Sequence, residues 1–151
     1  MTQRLFSSVA AGDELPGFEV VPSSVQMMRY CAVTWNMHRI HFDAEQAAAE
    51  GYPGLIVQSH LHQAFLTRLI TDWMGPRGQI RSLSATVRRF ATAGDTLRLR
   101  GRVVETDRKD DFSGLVTIDI EEVRPSDGIV CAPGRAVVEL PVLASPDVVR
   151  A

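Results

Sequence analysis

Apolar side chains in the middle of the chain recur every four residues, as on one face of a helix. The recurring positions are Leu61, Phe65, Leu69 and Trp73. Ala64, Leu66 and Ile70 widen this apolar stripe, and Gly75-Pro76 follows it. A wide stripe that ends at a glycine and a proline predicts a helix over residues 59–74 that is largely buried.

Two shorter helices are predicted before this main helix. Residues 23–26 read Ser-Ser-Val-Gln, which is typical of a capping box, so a helix is expected over 25–35 with Asn36 as its terminator. Its core-facing positions are expected to be Val25, Met28, Ala32 and Trp35. Asp43 is placed to cap a short helix over 44–50.

After Gly78 the pattern changes to strict alternation of apolar and polar residues. This period of two predicts antiparallel strands with one solvated face, over residues 82–88, 97–103, 116–121 and 136–142. A short strand is expected over 18–21. The pattern therefore predicts an α+β fold in which a curved antiparallel sheet wraps one central helix. We expect one domain over 1–151, with 1–16 and 144–151 irregular.

Composition limits the classes of partner that this protein can have. The chain has 151 residues, of which 45% are hydrophobic and 23% charged, with a net charge of −2. This composition excludes a disordered chain and makes nucleic acid and anionic membranes poor partners. No apolar run reaches the ~20 residues of a membrane helix, and the first residues lack the apolar core of a signal peptide. A cytoplasmic protein is expected.

Histidines and cysteines give the first indication of a site. All four histidines lie between residues 38 and 62, namely His38, His41, His60 and His62. His60 and His62 stand two apart on the predicted helix, so they cannot share a metal as an i, i+4 pair would. We expect them to be structural or pocket-lining, and we expect no metal. Two cysteines without a CxxC pair indicate neither a disulfide framework nor a zinc site.

Two segments of the chain resemble a known family. Residues 36–43 read Asn-Met-His-Arg-Ile-His-Phe-Asp, and residues 51–57 read Gly-Tyr-Pro-Gly-Leu-Ile-Val. Together they resemble the MaoC-like hydratase/dehydratase family, in the branch of hydroxyacyl-thioester dehydratases and mesaconyl-CoA hydratase-type enzymes. Arg-Arg-Phe at 88–90 and Gly-Asp-Thr-Leu at 94–97 add weaker support. The resemblance covers roughly residues 25–142.

The resemblance implies a fold and an activity. The fold is a single hot-dog domain, and the activity is a lyase of fatty acid metabolism that needs no cofactor. The family adds water to an α,β-unsaturated thioester or removes it from a 3-hydroxyacyl thioester. The implied substrate is therefore a thioester of CoA or of acyl carrier protein.

The family's hydratase motif can be carried over residue by residue. His41 matches the motif histidine and is expected to transfer the proton. Asn36 stands where the family usually has aspartate, and an amide cannot act as a base, so Asn36 is expected to orient water or the thioester. His38 is an alternative base. Asp43 is either an orienting or substitute carboxylate or, more simply, the N-cap of a short helix.

The start of the main helix is expected to bind the thioester carbonyl. By the family's pattern the donor is the backbone N–H of Ser59, where relatives usually have glycine. Gln58 flanks this amide as a further substrate-binding candidate. Helix N-termini carry unpaired N–H groups and partial positive charge, which suits a developing oxyanion.

Arginines could contact the phosphate or carboxylate of the substrate. Arg89, or its neighbour Arg88, is the candidate for that contact. The arginines of the next strand are instead expected to pair with acidic residues across the sheet. The expected pairs link Arg98, Arg100 and Arg102 with Asp119, Glu121 and Glu122.

The sequence also leaves two alternative functions to weigh, and it predicts that the protein assembles with a second subunit. A thioesterase is disfavoured because the main helix carries only one carboxylate, Asp72 near its far end. A non-catalytic subunit that completes a partner's acyl tunnel is the second alternative. We expect a homodimer, or a pair with a different hot-dog subunit, because the main helix is apolar around much of its circumference. The acyl tunnel would then run between the two central helices.

Overall fold

The computed structural model describes residues 2–143, and the expected irregular tail at 144–151 lies outside that range. Its regular elements are three helices, two 3₁₀ turns and five strands. The helices are α1 (Ser24–Thr34), α2 (Ala44–Ala49) and α3 (Ser59–Met74), and the 3₁₀ turns are Phe6–Ser8 and Arg39–His41. The strands are β1 (Phe18–Val20), β2 (Gln79–Ala85), β3 (Leu97–Arg108), β4 (Ser113–Arg124) and β5 (Ile129–Pro141).

All five strands form one antiparallel sheet in the order β1-β3-β4-β5-β2. The apolar face of the sheet packs on α3, whose stripe supplies Leu61, Phe65, Leu66, Leu69, Ile70 and Trp73 to the core. The predicted α+β arrangement and the predicted bounds of the main helix are confirmed. Short β1 and the seven-residue β2 are the two edges of the sheet.

The last strand is longer than the alternation predicted. β5 begins at Ile129 rather than at residue 136, because Pro133 and Gly134 interrupt the apolar pattern without interrupting the pairing. A proline lacks only the N–H, and the Pro133 carbonyl still accepts from the Thr86 amide at 3.0 Å. β2 ends at Ala85 rather than at residue 88, because the chain leaves the sheet edge there.

The predicted core face of α1 is wrong. Met27 and Cys31 are the buried residues of this helix, whereas Val25, Met28 and Ala32 are exposed and Trp35 follows the helix with 82% of its surface exposed. Nearly every side of this 11-residue helix carries an apolar residue, so spacing alone could not select a face. Residues 21–37 therefore present an outer apolar surface formed by Val21, Val25, Met28, Val33, Trp35 and Met37.

The outward side of α3 is also different from the expectation. It is not apolar but carries His60, Ala64, Arg68 and Asp72, all exposed. Arg68 bonds to Asp72 at 3.2 Å, as an i, i+4 pair on a solvated face does. The expected contact between two central helices therefore lacks an apolar surface on α3, and the unburied apolar surface lies on α1 instead. No helix within residues 2–143 is both long and apolar enough to cross a bilayer.

Cross-strand ion pairs are present, but with different partners from those predicted. Arg100 binds Glu121 at 2.6 Å as expected, whereas Arg98 binds Glu19 of β1 at 2.7 Å. Asp119 binds Arg135 at 2.7 Å. The surface pairing predicted for Glu122 is wrong, because this residue follows Val116, Ile118 and Ile120 at a period of two and so points into the core.

Candidate active site

His41 is the centre of the candidate site. It lies at the end of the 3₁₀ turn Arg39–His41, and only 8% of its surface is exposed. Its Nδ1 lies 2.6 Å from the carbonyl oxygen of Ile56. A carbonyl can only accept, so Nδ1 carries the proton and Nε2 is left as a bare acceptor in the neutral ring.

The surroundings of His41 favour this neutral ring. Burial lowers the pKa of His41 below its ordinary value, and the nearby His38 lowers it further, although the bond to the Ile56 carbonyl works in the opposite direction. The ring is therefore uncharged near neutral pH, with Nε2 free to take a proton. This is the state that a general base requires.

His38 and Asn36 lie on the same turn of chain. The His38 ring meets the His41 ring edge-on, with centroids 5.7 Å apart, and its Nε2 lies 3.7 Å from a Glu50 oxygen on α2. His38 is exposed, unlike His41. The Asn36 side-chain oxygen accepts from the His38 amide at 3.3 Å, which leaves the Asn36 NH₂ group as the part that can donate to a ligand.

Cys31 joins the Asn36 turn to the start of the main helix. Its carbonyl accepts from the Asn36 amide at 3.1 Å, and its Sγ accepts from the Gln58 side chain at 3.0 Å. Gln58 Nε2 also donates to the Met27 carbonyl at 2.8 Å. Gln58 is thus fully buried and links α1 with the start of α3, and its predicted contact with substrate stays a prediction.

The first turn of α3 presents its backbone amides outward. Ser59 and His60 are exposed, and no side chain caps this helix end. The amides of Leu61 and His62 are already bonded to the Gln58 carbonyl, at 2.9 and 3.2 Å. The N–H groups of the two exposed residues before them are the ones that an α-helix leaves without an internal partner. The oxyanion role of the Ser59 amide therefore stays a prediction, and the helix end on which it rests is exposed and uncapped.

Asp43 is placed as a helix cap. Its Oδ1 accepts from the Glu45 and Gln46 amides, both at 3.1 Å, and its Oδ2 accepts from Arg39 Nε at 2.9 Å. The Arg39 bond, helped by these amides, holds the pKa of the Asp43 carboxyl below its usual range. The sequence left two roles open for Asp43, and its contacts are those of an N-cap. Asp43 forms no hydrogen bond to His41.

Arg89 lies in the segment that follows β2. This segment runs beside the approach to α3, because the Val57 amide donates to the Ala91 carbonyl at 2.9 Å. The Arg89 side chain is exposed and donates to the Arg88 carbonyl at 2.9 Å. Phe90 meets Tyr52 edge-on at 5.7 Å, so Tyr52 packs against this segment.

Sequence reasoning missed a buried pair beside the site. His62 Nδ1 lies 2.6 Å from Glu122 Oε1, and both side chains are 0% exposed. The alternation along β4 was the signal that could have found it, because it puts Glu122 on the core face. The carbonyl of Ile56 and the Cys31 junction carried no sequence signal. Within residues 2–143, no three His, Cys, Asp or Glu side chains are grouped as metal ligands.

Comparison with known families identifies the chain at the level of a family. Residues 7–89, more than half of the sequence, match hydroxyacyl-thioester dehydratase type 2. This range includes Asn36, His41 and Ser59. The chain belongs to the hydroxyacyl-thioester dehydratase type 2 family. The predicted resemblance to hydratases and dehydratases of acyl thioesters is therefore confirmed.

Individual relatives agree with this assignment. The chain is 45% identical over 51 residues to mesaconyl-C(4)-CoA hydratase of Chloroflexus aurantiacus, a match of 33% of this chain and 18% of that protein. It is 24% identical over 109 residues to the 3-oxo-4,17-pregnadiene-20-carboxyl-CoA hydratase beta subunit of Mycobacterium tuberculosis. This match covers 72% of this chain and 81% of that protein. The chain thus spans less than a fifth of the first relative's length.

A solved structure confirms the fold. The MaoC-like dehydratase from Rhodospirillum rubrum superposes with a TM-score of 0.81 at 16% identity, over 93% of this chain and 99% of that one. At this identity the likeness concerns the fold alone. The single hot-dog fold predicted from the sequence is confirmed.

Proposed function

We propose that this member of the hydroxyacyl-thioester dehydratase type 2 family adds water to an α,β-unsaturated acyl thioester and catalyses the reverse dehydration. The observation that carries the proposal is the state of His41. Its Nδ1–H is bound by the Ile56 carbonyl, and its Nε2 is left as a free acceptor in a neutral ring. That arrangement suits proton transfer at neutral pH in both directions.

The reaction then proceeds through His41. Nε2 takes one proton from water while the water oxygen bonds to the β-carbon of the substrate. The π electrons of the double bond move toward the thioester, and negative charge develops on its carbonyl oxygen. The protonated His41 ring then returns a proton to the α-carbon, so that water has been added and His41 is neutral again.

The first turn of α3 is proposed to stabilise the negative charge that develops on the carbonyl oxygen. The Ser59 N–H is the proposed donor, aided by the helix dipole. Asn36 replaces the family's usual carboxylate, so its NH₂ group is proposed to hold the water or the thioester rather than to take a proton. His38, exposed beside His41, is the alternative base, and Asp43 supports the turn through its cap.

The substrate is proposed to be a thioester of CoA or of acyl carrier protein, and no cofactor is needed. Both carriers contain phosphates and a pantetheine arm. Arg89 is exposed on the segment beside the approach to α3, where a guanidinium can bind a phosphate. Its only side-chain hydrogen bond among residues 2–143 goes to the neighbouring Arg88 carbonyl, so most of its donors remain free.

We propose that a second hot-dog protomer completes the site, as a homodimer. The outer apolar surface of residues 21–37 includes the two neighbours of Asn36 in the chain, and its largest member, Trp35, is 82% exposed. Exposed apolar residues gathered in one segment mark an interaction surface. β2 offers a free strand edge for further pairing. A different hot-dog subunit is the alternative partner.

Other functions have less support in the site. A thioesterase requires a carboxylate that reaches water beside the thioester. Asp72 lies on the far turn of α3 in an ion pair with Arg68, and Glu122 is fully enclosed. A non-catalytic subunit remains the second candidate, because Asn36 cannot replace the usual base. The name of the M. tuberculosis relative, a beta subunit, supports keeping this candidate.

One assay separates the three functions. The purified protein is incubated with a short 2-enoyl-CoA and, separately, with a saturated acyl-CoA. We expect loss of the enoyl conjugation and no free thiol. Thiol release from the saturated substrate would indicate a thioesterase. No change with either substrate, followed by hydration once a second hot-dog subunit is added, would indicate a non-catalytic subunit.

A further inference from the structure

The pair formed by His62 and Glu122 has no part in the chemistry described above. Nδ1 and Oε1 lie 2.6 Å apart, and neither side chain reaches the surface. Their other polar atoms, His62 Nε2 and Glu122 Oε2, have no hydrogen-bond partner within residues 2–143. Burying such groups is costly, and apolar side chains of similar size usually fill the same space without that cost. The pair therefore needs an explanation other than core stability.

His62 is the member of the pair that lies on α3, and it helps to close the first turn of that helix. His62 is the fourth residue of the helix, and its backbone N–H closes that turn by donating to the Gln58 carbonyl at 3.2 Å. The turn so closed is the one that presents the Ser59 amide. Gln58 is itself fixed to α1 through Met27 and Cys31. Anchoring the His62 side chain therefore fixes the direction of the Ser59 N–H.

The strand end of the pair lies at a β-bulge. The register between β4 and β5 shifts after Glu122, which faces Ala132, while Val123 faces Val130. Cys131 is the extra residue of the bulge, and its carbonyl accepts from the Arg88 and Arg89 amides at 2.8 and 3.2 Å. Bulges of this kind redirect the chain next to functional sites. Anchoring Glu122 therefore fixes the start of the segment that carries Arg89.

We infer that His62 and Glu122 are a positioning pair, which holds the first turn of α3 and the β4–β5 bulge at a fixed separation. The Ser59 amide and the Arg88–Arg89 segment then face one thioester together. The pair touches neither substrate nor reacting atoms, so it acts only through these two elements. The inference rests on the proposed function for its effect on rate, but the anchoring itself can be measured without any substrate.

The test replaces the whole pair with apolar residues, in the variant His62→Leu/Glu122→Val. Neither of these two positions then holds a buried polar atom without a partner, so we expect a folded protein whose melting midpoint stays within about 5 °C of the wild type. We expect kcat to fall by about 10-fold or more while KM changes by less than about 3-fold, because misplaced groups act mainly on the transition state. A folded variant with full kcat would overturn the inference.

Amide hydrogen exchange provides the second readout. The amides of Leu61, His62, Arg88 and Arg89 should exchange faster in the variant, whereas those in the last turn of α3 should not. Leu69→Met, a volume-conserving change two turns further along the helix, is the matched control and should change neither readout. Unchanged exchange at all four amides would contradict the anchoring. If the wild type lacks hydratase activity, the proposed function fails while exchange still tests the anchor.

Two further variants keep the test decisive. If the first variant does not fold, His62→Met/Glu122→Val replaces it, because methionine adapts to irregular space. Glu122→Gln keeps an acceptor oxygen for His62 Nδ1–H and should retain kcat within about 3-fold. A folded Glu122→Gln protein as slow as the apolar variants would overturn the hydrogen-bond anchor.

Discussion

His41 and His62 are two buried histidines whose Nδ1 atoms each lie 2.6 Å from an oxygen, yet their surroundings differ. His41 lies on a short 3₁₀ turn, binds the carbonyl of Ile56 and keeps 8% of its surface exposed. His62 lies on the main helix, binds the carboxylate of Glu122 on β4 and is fully enclosed. Burial favours the neutral ring of His41, and the carbonyl takes its Nδ1–H, so Nε2 is left as a free acceptor. The carboxylate holds His62 where nothing can reach it. A buried histidine is thus suited to chemistry or to anchoring according to its oxygen partner and its access.

The largest expected effect separates the two histidines by activity. His41→Ala should lower hydration turnover by about 10²-fold or more, the usual loss for a general acid–base group, while circular dichroism shows a folded protein. His38→Ala is the matched control, since it removes the alternative base from the same turn. A folded His41→Ala protein with near-normal turnover, or a greater loss in His38→Ala, would transfer the base to His38.

The backbone donor at the start of α3 gives the next largest effect. Ser59→Pro should reduce kcat by about 10²-fold, because it removes the N–H that binds the oxyanion. Ser59→Ala keeps that N–H and should stay within about 3-fold of the wild type. Proline is tolerated in the first turn of a helix, so the protein should fold. Equal losses in the two variants would assign the role to the hydroxyl instead.

The free energy of unfolding should depend on the buried His62–Glu122 pair, although the pair takes no part in the chemistry. Glu122→Ala leaves His62 buried without a partner and should lower the free energy of unfolding by about 3–5 kcal/mol. Glu121→Ala, at the neighbouring half-buried position that pairs with Arg100, should cost about 1 kcal/mol or less. Urea denaturation monitored by fluorescence measures both. Similar small losses in the two variants would mean that the buried pair is not intact in solution.

The pH dependence of activity should follow His41. Burial lowers the pKa of its ring, so the neutral base is still present at slightly acidic pH. The value of kcat/KM should therefore fall only as the pH drops below about 6.5, the ordinary value for histidine, because protonation then removes the acceptor on Nε2. A pH–rate profile between mildly acidic and neutral conditions measures this. An acid limb centred above the ordinary histidine value would contradict the environment described for His41.

The smallest expected effect concerns assembly. Trp35→Ser removes the largest side chain of the outer apolar surface and should weaken the dimer by about 10-fold, as an exposed aromatic anchor does. Arg68→Ser on the polar face of α3 should leave the dimer unchanged. Sedimentation at micromolar concentration checks both. If Arg68→Ser alone weakened the dimer, the contact would instead lie between the two central helices.

The sequence predicted the elements whose local pattern agrees with their packing. The main helix over 59–74 was found because its apolar stripe faces the core and its end carries a glycine and a proline. His41 and Ser59 were predicted from a short motif and a helix start, and their roles in the chemistry remain predictions. The exposed side of α1 was not predictable, since apolar residues surround the helix and tertiary contacts, such as the Gln58 bond to the Met27 carbonyl, select the buried side.

The early start of β5 was hidden for a different physical reason. Pro133 and Gly134 read as breakers, although both stay paired with β4 and the Pro133 carbonyl accepts from the Thr86 amide. Glu122 was misplaced because its charge was given more weight than its position in an alternating strand. At that position the tertiary partner, His62, offsets only part of the usual cost of burying a carboxylate.

Hydration in heavy water tests the central claim most directly. The wild-type protein is mixed with a short 2-enoyl-CoA in heavy water, and the product is examined by proton NMR. Proton transfer through His41 predicts a 3-hydroxyacyl-CoA that carries one solvent deuterium at its α-carbon, and the His41→Ala protein should form almost none of it. Free CoA and a carboxylic acid, or deuterated product formed equally by both proteins, would contradict the account.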